Sequence, residues 1–175
     1  MTNTIYHKIQ GKRLLIDTNF LLDYLRHYGD YVSVVNDIIA NGVEFTTIDP
    51  VLIEYYKGVD TNHHLKVKTE LFDKTLNKIY PISPRTIENT RQMSLAYRKD
   101  CAQISATDLL LAGTLKEKNK KLILLTRNHQ DFPTTIFDRI GIINVELKRT
   151  VNSYSLIKYS HNKYTASVKM FLKSK

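Results

Sequence analysis

The sequence predicts an α/β fold with three layers, α/β/α, around a mainly parallel central sheet. Three observations predict it. Short β-rich apolar segments alternate with stretches of helical period; the clearest strands are continuously apolar, as expected for a sheet covered on both faces; and the breaks between segments carry turn or capping residues. Helix and strand therefore take turns along the chain.

Leu14-Leu15-Ile16 reads as a buried strand, and the pattern switches to helical spacing at Phe20, Leu21, Leu22, Tyr24 and Leu25. Gly29-Asp30 breaks that helix. A helix over 31–41 follows with Val34, Val35, Ile38 and Ile39, and Asn41-Gly42 supplies C-cap chemistry. Val43–Ile48 is the next strand, after which Asp49-Pro50 opens a helix with Val51, Leu52, Ile53, Tyr55 and Tyr56. The stretch 63–77 is amphipathic, Lys78–Ile82 forms a weak strand, and Ser83-Pro84 opens a helix bearing Ile87, Met93, Leu95 and Ala96. Thr107 is the expected N-cap of a helix whose first turn holds Asp108. Leu122–Thr126 is the clearest strand in the chain, ends in Arg127-Asn128-His129-Gln130-Asp131, and is followed by a last core strand at Ile140–Glu146.

The 175 residues suit one domain with a substantial core. Its only cysteine, Cys101, excludes an intramolecular disulfide and a cysteine-cluster metal site, and reads as a small buried hydrophobe. No apolar run reaches membrane-spanning length, and MTNTIYHKIQGKR lacks a signal-peptide core, so the expected location is cytoplasmic. The net charge of +9 is concentrated toward the C-terminus: residues 148–175 hold seven basic residues and no Asp or Glu. The expected division is thus a body over 1–147 and a basic extension over 148–175, packed on the domain or trailing from it. With Tyr154, Tyr159, Tyr164 and Phe171 interleaved, Lys148, Arg149, Lys158 and Lys163 are candidate nucleic-acid contacts. A solvated basic tail whose aromatics pack on the domain is the other reading.

Asp17, Glu54, Asp108 and Asp131 each fall near the C-terminal edge of a strand, or in the first turns of a helix leaving such an edge. That edge is where α/β sheets carry their sites. Taken singly, Asp17 serves as an N-cap, Asp108 as a first-turn residue favoured by the helix dipole, and Asp131 as a loop residue. Glu54 interrupts an apolar helical face and has less to explain it. Brought together, the four would repel unless some were protonated or a cation bound them, and hard oxygen donors without Cys or His suit Mg²⁺ or Mn²⁺. Asp23, about 600° of helical rotation beyond Asp17, points to a different face and reads as a surface residue. His63-His64 read as surface, and Arg127 as a phosphate contact or an ion-pair partner.

The segments IDTNFLLDYL, VLIEYY, ISATDLLLAGTL and LLTRNHQDF, in that order, resemble the PIN-domain nucleases and most closely the VapC-type toxins, over about residues 12–146. The resemblance implies a metal-dependent ribonuclease. It places Asp17, Glu54, Asp108 and Asp131 at the catalytic metal site, and Asn19, Thr126 and Asn128 at accompanying polar positions. It also implies an RNA substrate, a small antitoxin covering the acidic cleft, and a homodimer. The competing readings are a non-catalytic RNA-binding or scaffold protein using the basic tail, and a phosphohydrolase of haloacid-dehalogenase type. The latter wants an Asp where Asn19 stands.

Overall fold

A computed structural model describes residues 3–97 and 103–173; Cys101 lies outside the described residues. One sheet has the order β3-β2-β1-β4-β6-β5. Its strands are β1 (Arg13–Ile16), β2 (Glu44–Ile48), β3 (Leu76–Tyr80), β4 (Leu122–Thr126), β5 (Phe137–Glu146) and β6 (Val151–Tyr159). The helices are α1 (Asn3–Ile9), α2 (Thr18–Arg26), α3 (Tyr28–Ala40), α4 (Asp49–Tyr56), α5 (Asn62–Thr75), α6 (Pro84–Tyr97), α7 (Ala106–Glu117) and α8 (His161–Lys173).

Strands β3, β2, β1 and β4 are mutually parallel, while β6 runs antiparallel to both β4 and β5. The sheet is therefore mixed, with a parallel core. From β1 the chain steps to β2 and β3 on one side, then returns across the sheet to place β4 on the other side of β1. The right-handed rule for parallel crossovers, applied to a chain that winds in both directions from β1, places α2–α5 on one face and α6–α7 on the other. Contacts agree with this division: α2 touches α3, α4 and α5, whereas α6 touches α7 and α8.

Leu14, Leu15, Ile16 and Leu122–Leu125 are buried on both sides, which is why those strands read as unbroken apolar runs. Phe20 on α2 packs against Phe45 of β2, Tyr31 of α3 and Tyr154 of β6, tying that helical layer to the sheet. Asn41 caps α3 and Gly42, at φ 72°, makes the left-handed turn into β2, as the Asn-Gly pair predicts. Gly29 instead sits in the first turn of α3, so the break between α2 and α3 falls at His27. On α6, Met93 and Ala96 are buried as expected but Ile87 and Leu95 are exposed; Ile53 on α4 is exposed as well.

The largest correction concerns residues 148–175. The boundary at 147/148 falls inside the turn of the β5–β6 hairpin, where the Leu147 amide donates to the Thr150 carbonyl at 2.8 Å. β6 is an interior strand, and Tyr154, Leu156, Ile157 and Tyr159 are core residues. Its one lysine, Lys158, is exposed beside the buried run Tyr154–Ile157, and Lys148 and Arg149 lie in the turn before it, so the change of composition near Lys148 marks a hairpin and not a domain edge. No helix among the described residues is long and apolar enough to cross a membrane.

Candidate functional site

The sheet changes direction of travel between β1 and β4, which is the position where an open α/β sheet forms a crevice beyond its strand ends. Ile16 pairs with Leu125 there, so Asp17 and Thr126 come side by side as the two strands end. Asp17 caps α2: its Oδ1 accepts from the Phe20 amide at 3.0 Å, and its Oδ2 accepts from the Thr126 hydroxyl at 2.5 Å. Thr126 is fully buried and its Oγ1 also accepts from the Asn128 amide at 2.9 Å. The turn after β4 is thereby locked to the turn after β1.

The other three acids approach from their own elements. Glu54 projects from α4 with both oxygens engaged, Oε2 by the Thr18 hydroxyl at 2.6 Å and Oε1 by the Thr107 hydroxyl. Asp108 lies in the first turn of α7; Ser105, not Thr107, is the N-cap, accepting from the Asp108 amide at 3.0 Å and donating to Asp108 Oδ2 at 2.6 Å. Thr107 is thereby free to bond Glu54. Asp131 closes a short 3-10 turn, His129–Asp131, and its Oδ2 accepts from the Asn128 side chain.

Electrostatics link the group. Burial pushes the Asp17 carboxyl up from 3.8 to about 6, against the opposing hydrogen bonds from Thr126 and Phe20, and the Asp108 charge adds to the rise. Asp108 is also raised, first by burial and then by the charges of Asp131 and Glu54, while its bond from Ser105 opposes. Four carboxylates thus share one crevice, and two hold their protons more tightly than free side chains. A cation would relieve that repulsion.

Whether these residues fit a metal divides into chemistry and arrangement. The donors are all hard carboxylate oxygens, which suit Mg²⁺ or Mn²⁺, and each hydrogen-bonded oxygen keeps a second lone pair. Yet among the described residues no group of three or more His, Cys, Asp or Glu side chains stands ready to hold an ion. Hydroxyls and amides now occupy both oxygens of Asp17 and Glu54, and one each of Asp108 and Asp131. The donor chemistry suits such an ion; the present arrangement of the described side chains directs those oxygens to hydroxyls and amides instead.

The remaining candidates separate. Asn19 is exposed beside Asp17 and lends a hydrogen bond that favours its ionised form. Lys148 and Arg149 are exposed at the β5–β6 turn, beyond the end of β4 where the crevice lies. Lys158 and Lys163 lie toward the opposite end of the sheet: Lys158 pairs in register with Asp138, and the Lys163 ammonium is 2.7 Å from the Asp138 carboxylate. Neither reaches the crevice.

Arg127 is an ion-pair partner. Its Nη1 donates at 2.6 Å to Asp23 Oδ2, which also accepts from the Tyr154 hydroxyl at 2.7 Å. Asp23 is therefore buried, contrary to its surface reading: the face of α2 turned away from Asp17 meets Arg127, Tyr31 and Tyr154 instead of water. Sequence reasoning also passed over Thr18 and Ser105, and gave Thr107 the cap position instead of its bond to Glu54; all three orient the acids. The signal was present in the hydroxyls next to Asp17 and just before Asp108, but their partners lie on other elements. No family model matches this chain, and neither a curated protein nor a solved structure matches it.

Proposed function

We propose that the protein is a divalent-metal-dependent ribonuclease of PIN-domain type. The observation that carries the reading is the convergence of Asp17, Glu54, Asp108 and Asp131 at the β1/β4 crevice, where burial and the neighbouring Asp108 charge hold Asp17 up to about 6, and burial with the charges of Asp131 and Glu54 raises Asp108. A structural cluster gains nothing from such repulsion, whereas a site for a cation depends on it.

In this reading Asp17 and Asp108 hold the ion, and Glu54 and Asp131 complete the shell or hold a second one. Mg²⁺ or Mn²⁺, when bound, supplies acidification of a coordinated water and neutralises charge gathering on the phosphate. The chain's own part is orientation. Thr126 fixes Asp17, Ser105 fixes Asp108, Thr18 and Thr107 fix Glu54, and Asn128 fixes Asp131, so each carboxylate is presented from a set direction. Burial of Asp17 beneath α2 keeps water from solvating the charge the ion is to meet.

The test is cleavage of single-stranded and structured RNA by purified protein with Mn²⁺ or Mg²⁺. Wild type should cleave, chelation should stop it, and Asp17→Asn and Asp108→Asn should each lose at least 100-fold, about 2.7 kcal/mol of barrier. Cleavage by both variants at the wild-type rate would sink the reading. If the protein is a toxin, its antitoxin should block the crevice and inhibit cleavage in a reconstituted pair.

The absence of a ready three-ligand group among the described residues favours a second reading, a non-catalytic RNA-binding protein on the same fold. Titration calorimetry separates the two. Saturable Mn²⁺ binding that is lost in Asp17→Asn supports the nuclease; no metal binding with RNA affinity intact supports the binding protein.

A further inference from the structure

At the opposite end of the sheet from the carboxylates, five cations surround a cavity of about 380 Å³: Lys8 of α1, Lys12 before β1, Lys120 before β4, Arg139 of β5 and Lys158 of β6. The carboxylate crevice is the length of β4 away, roughly 15 Å at about 3.3 Å per residue. Among the described residues, no acid lines the cavity. Of the nearby acids on this edge, Asp138 is matched to Lys163 and Glu44 to Arg13, while Asp37 of α3 lies toward Tyr6 of α1 and outside the cavity lining. Among the described residues, none of the five cations has an ion-pair partner. They carry five positive charges in a chain whose net charge is +9.

Mutual repulsion makes such a gathering unfavourable unless an anion meets it. Two of the ammonium groups are held in place, Lys8 by the Ile140 carbonyl at 3.0 Å and Lys12 by the Lys120 carbonyl at 2.8 Å. Each keeps two further N–H donors for a ligand. The floor is apolar, formed by Leu122, Ile123 and Ile140, with Asn119 as a polar neighbour. Cations at the rim, apolar surface below and one amide suit a molecule with phosphates at one end and a flat ring at the other. The volume lies in the range of pockets that enclose one small ligand.

We infer that this cavity, formed where α1, β4, β5 and β6 converge, binds the phosphates and base of a single nucleotide. The nucleotide is either free or the terminal residue of an RNA strand. The site is separate from the carboxylate crevice and does not depend on catalysis there.

The test is equilibrium binding at low salt by fluorescence anisotropy, with a fluorescent nucleoside triphosphate in one arm and a labelled, 5′-phosphorylated oligoribonucleotide in the other, both in chelator. At least one probe should bind the full-length protein, and Lys12→Glu and Arg139→Glu should each weaken it tenfold or more. Lys74→Glu, on α5 beside the far edge of the sheet, makes the same change of net charge and should weaken it less than threefold. Asp17→Asn should leave binding unchanged even if it abolishes cleavage. Binding of the free nucleotide identifies that source; binding of the oligonucleotide alone, with the same response to the variants, identifies an RNA end. The inference is overturned if neither probe binds, or if Lys74→Glu weakens binding as much as the cavity variants do. Circular dichroism of each variant checks that the fold is kept.

Discussion

Asp17 carries two duties that conflict in the absence of a cation. As an N-cap it stabilises α2, yet its carboxyl is held up at about 6 by burial and by the Asp108 charge. Between its ordinary value of 3.8 and about 6 the native state binds more protons than the unfolded chain, so its contribution to stability is full below pH 4 and is lost as pH rises through 6. Asp17→Asn keeps a capping oxygen and removes the charge. Urea unfolding in chelator should show the variant more stable by about 1–3 kcal/mol at pH 7, with the advantage gone by about pH 4. Added Mn²⁺ should stabilise the wild type and not the variant. Arg127 tests a different assignment: Arg127→Met leaves Asp23 with the Tyr154 hydroxyl but without its closest cation. We expect a loss of about 1–3 kcal/mol in the same unfolding experiment and RNA affinity within twofold of wild type, because the guanidinium is engaged inside the fold.

Among elements, the α6–α7 pair has the narrowest tolerance. A Cβ on Gly113 would stand 2.2 Å from Thr90 Oγ1 and 3.0 Å from the Thr86 carbonyl and the Thr90 amide, so α7 lies against the backbone of α6. Thr90 cannot simply turn away, because its hydroxyl donates to the Thr86 carbonyl at 2.8 Å. Gly113→Ala gains about 1 kcal/mol of helix propensity and loses more to overpacking; a net loss of about 1–2 kcal/mol in thermal or urea unfolding is expected. Adding Thr90→Ala should recover part of it, since the backbone contacts remain. The same shift of α7 would move Asp108, so the single variant should also weaken Mn²⁺ binding. The ends of these helices are joined by Glu117, which accepts from Thr86 and Ser83 at 2.5 and 3.1 Å.

For the whole molecule, the position of β6 decides what truncation does. Removing residues 148–175 takes an inner strand from between β4 and β5 and exposes the edges of both. It also removes Tyr154, which bridges Tyr31 and Asp23 through its hydroxyl. Truncation after Leu147 should abolish cooperative unfolding, seen as loss of a sigmoidal melt by circular dichroism, so it cannot isolate a tail's contribution to RNA binding. Point changes at Lys148 and Arg149 are the suitable probe. Charge is also divided at this scale, with the four crevice carboxylates at one end of the sheet and, among the described residues, five cations without ion-pair partners at the other.

Much of the parallel core was legible because its signals are local. Leu14–Ile16 and Leu122–Thr126 announce buried strands by unbroken apolarity, and Asn41-Gly42, Asp49-Pro50 and Ser83-Pro84 mark helix ends through backbone chemistry that neighbours alone impose. The sequence also determined which acids stand at strand ends, because position relative to a strand is read along the chain. Tertiary structure alone decided the rest. That β4 returns to the side of β1 brings Thr126 onto Asp17; that β6 inserts beside β4 turns a basic segment into core and buries Asp23; that Thr18 and Thr107 meet on Glu54 fixes its direction. Each of these pairings joins residues far apart in sequence, and neither periodicity nor composition carries information about which distant element a side chain will face.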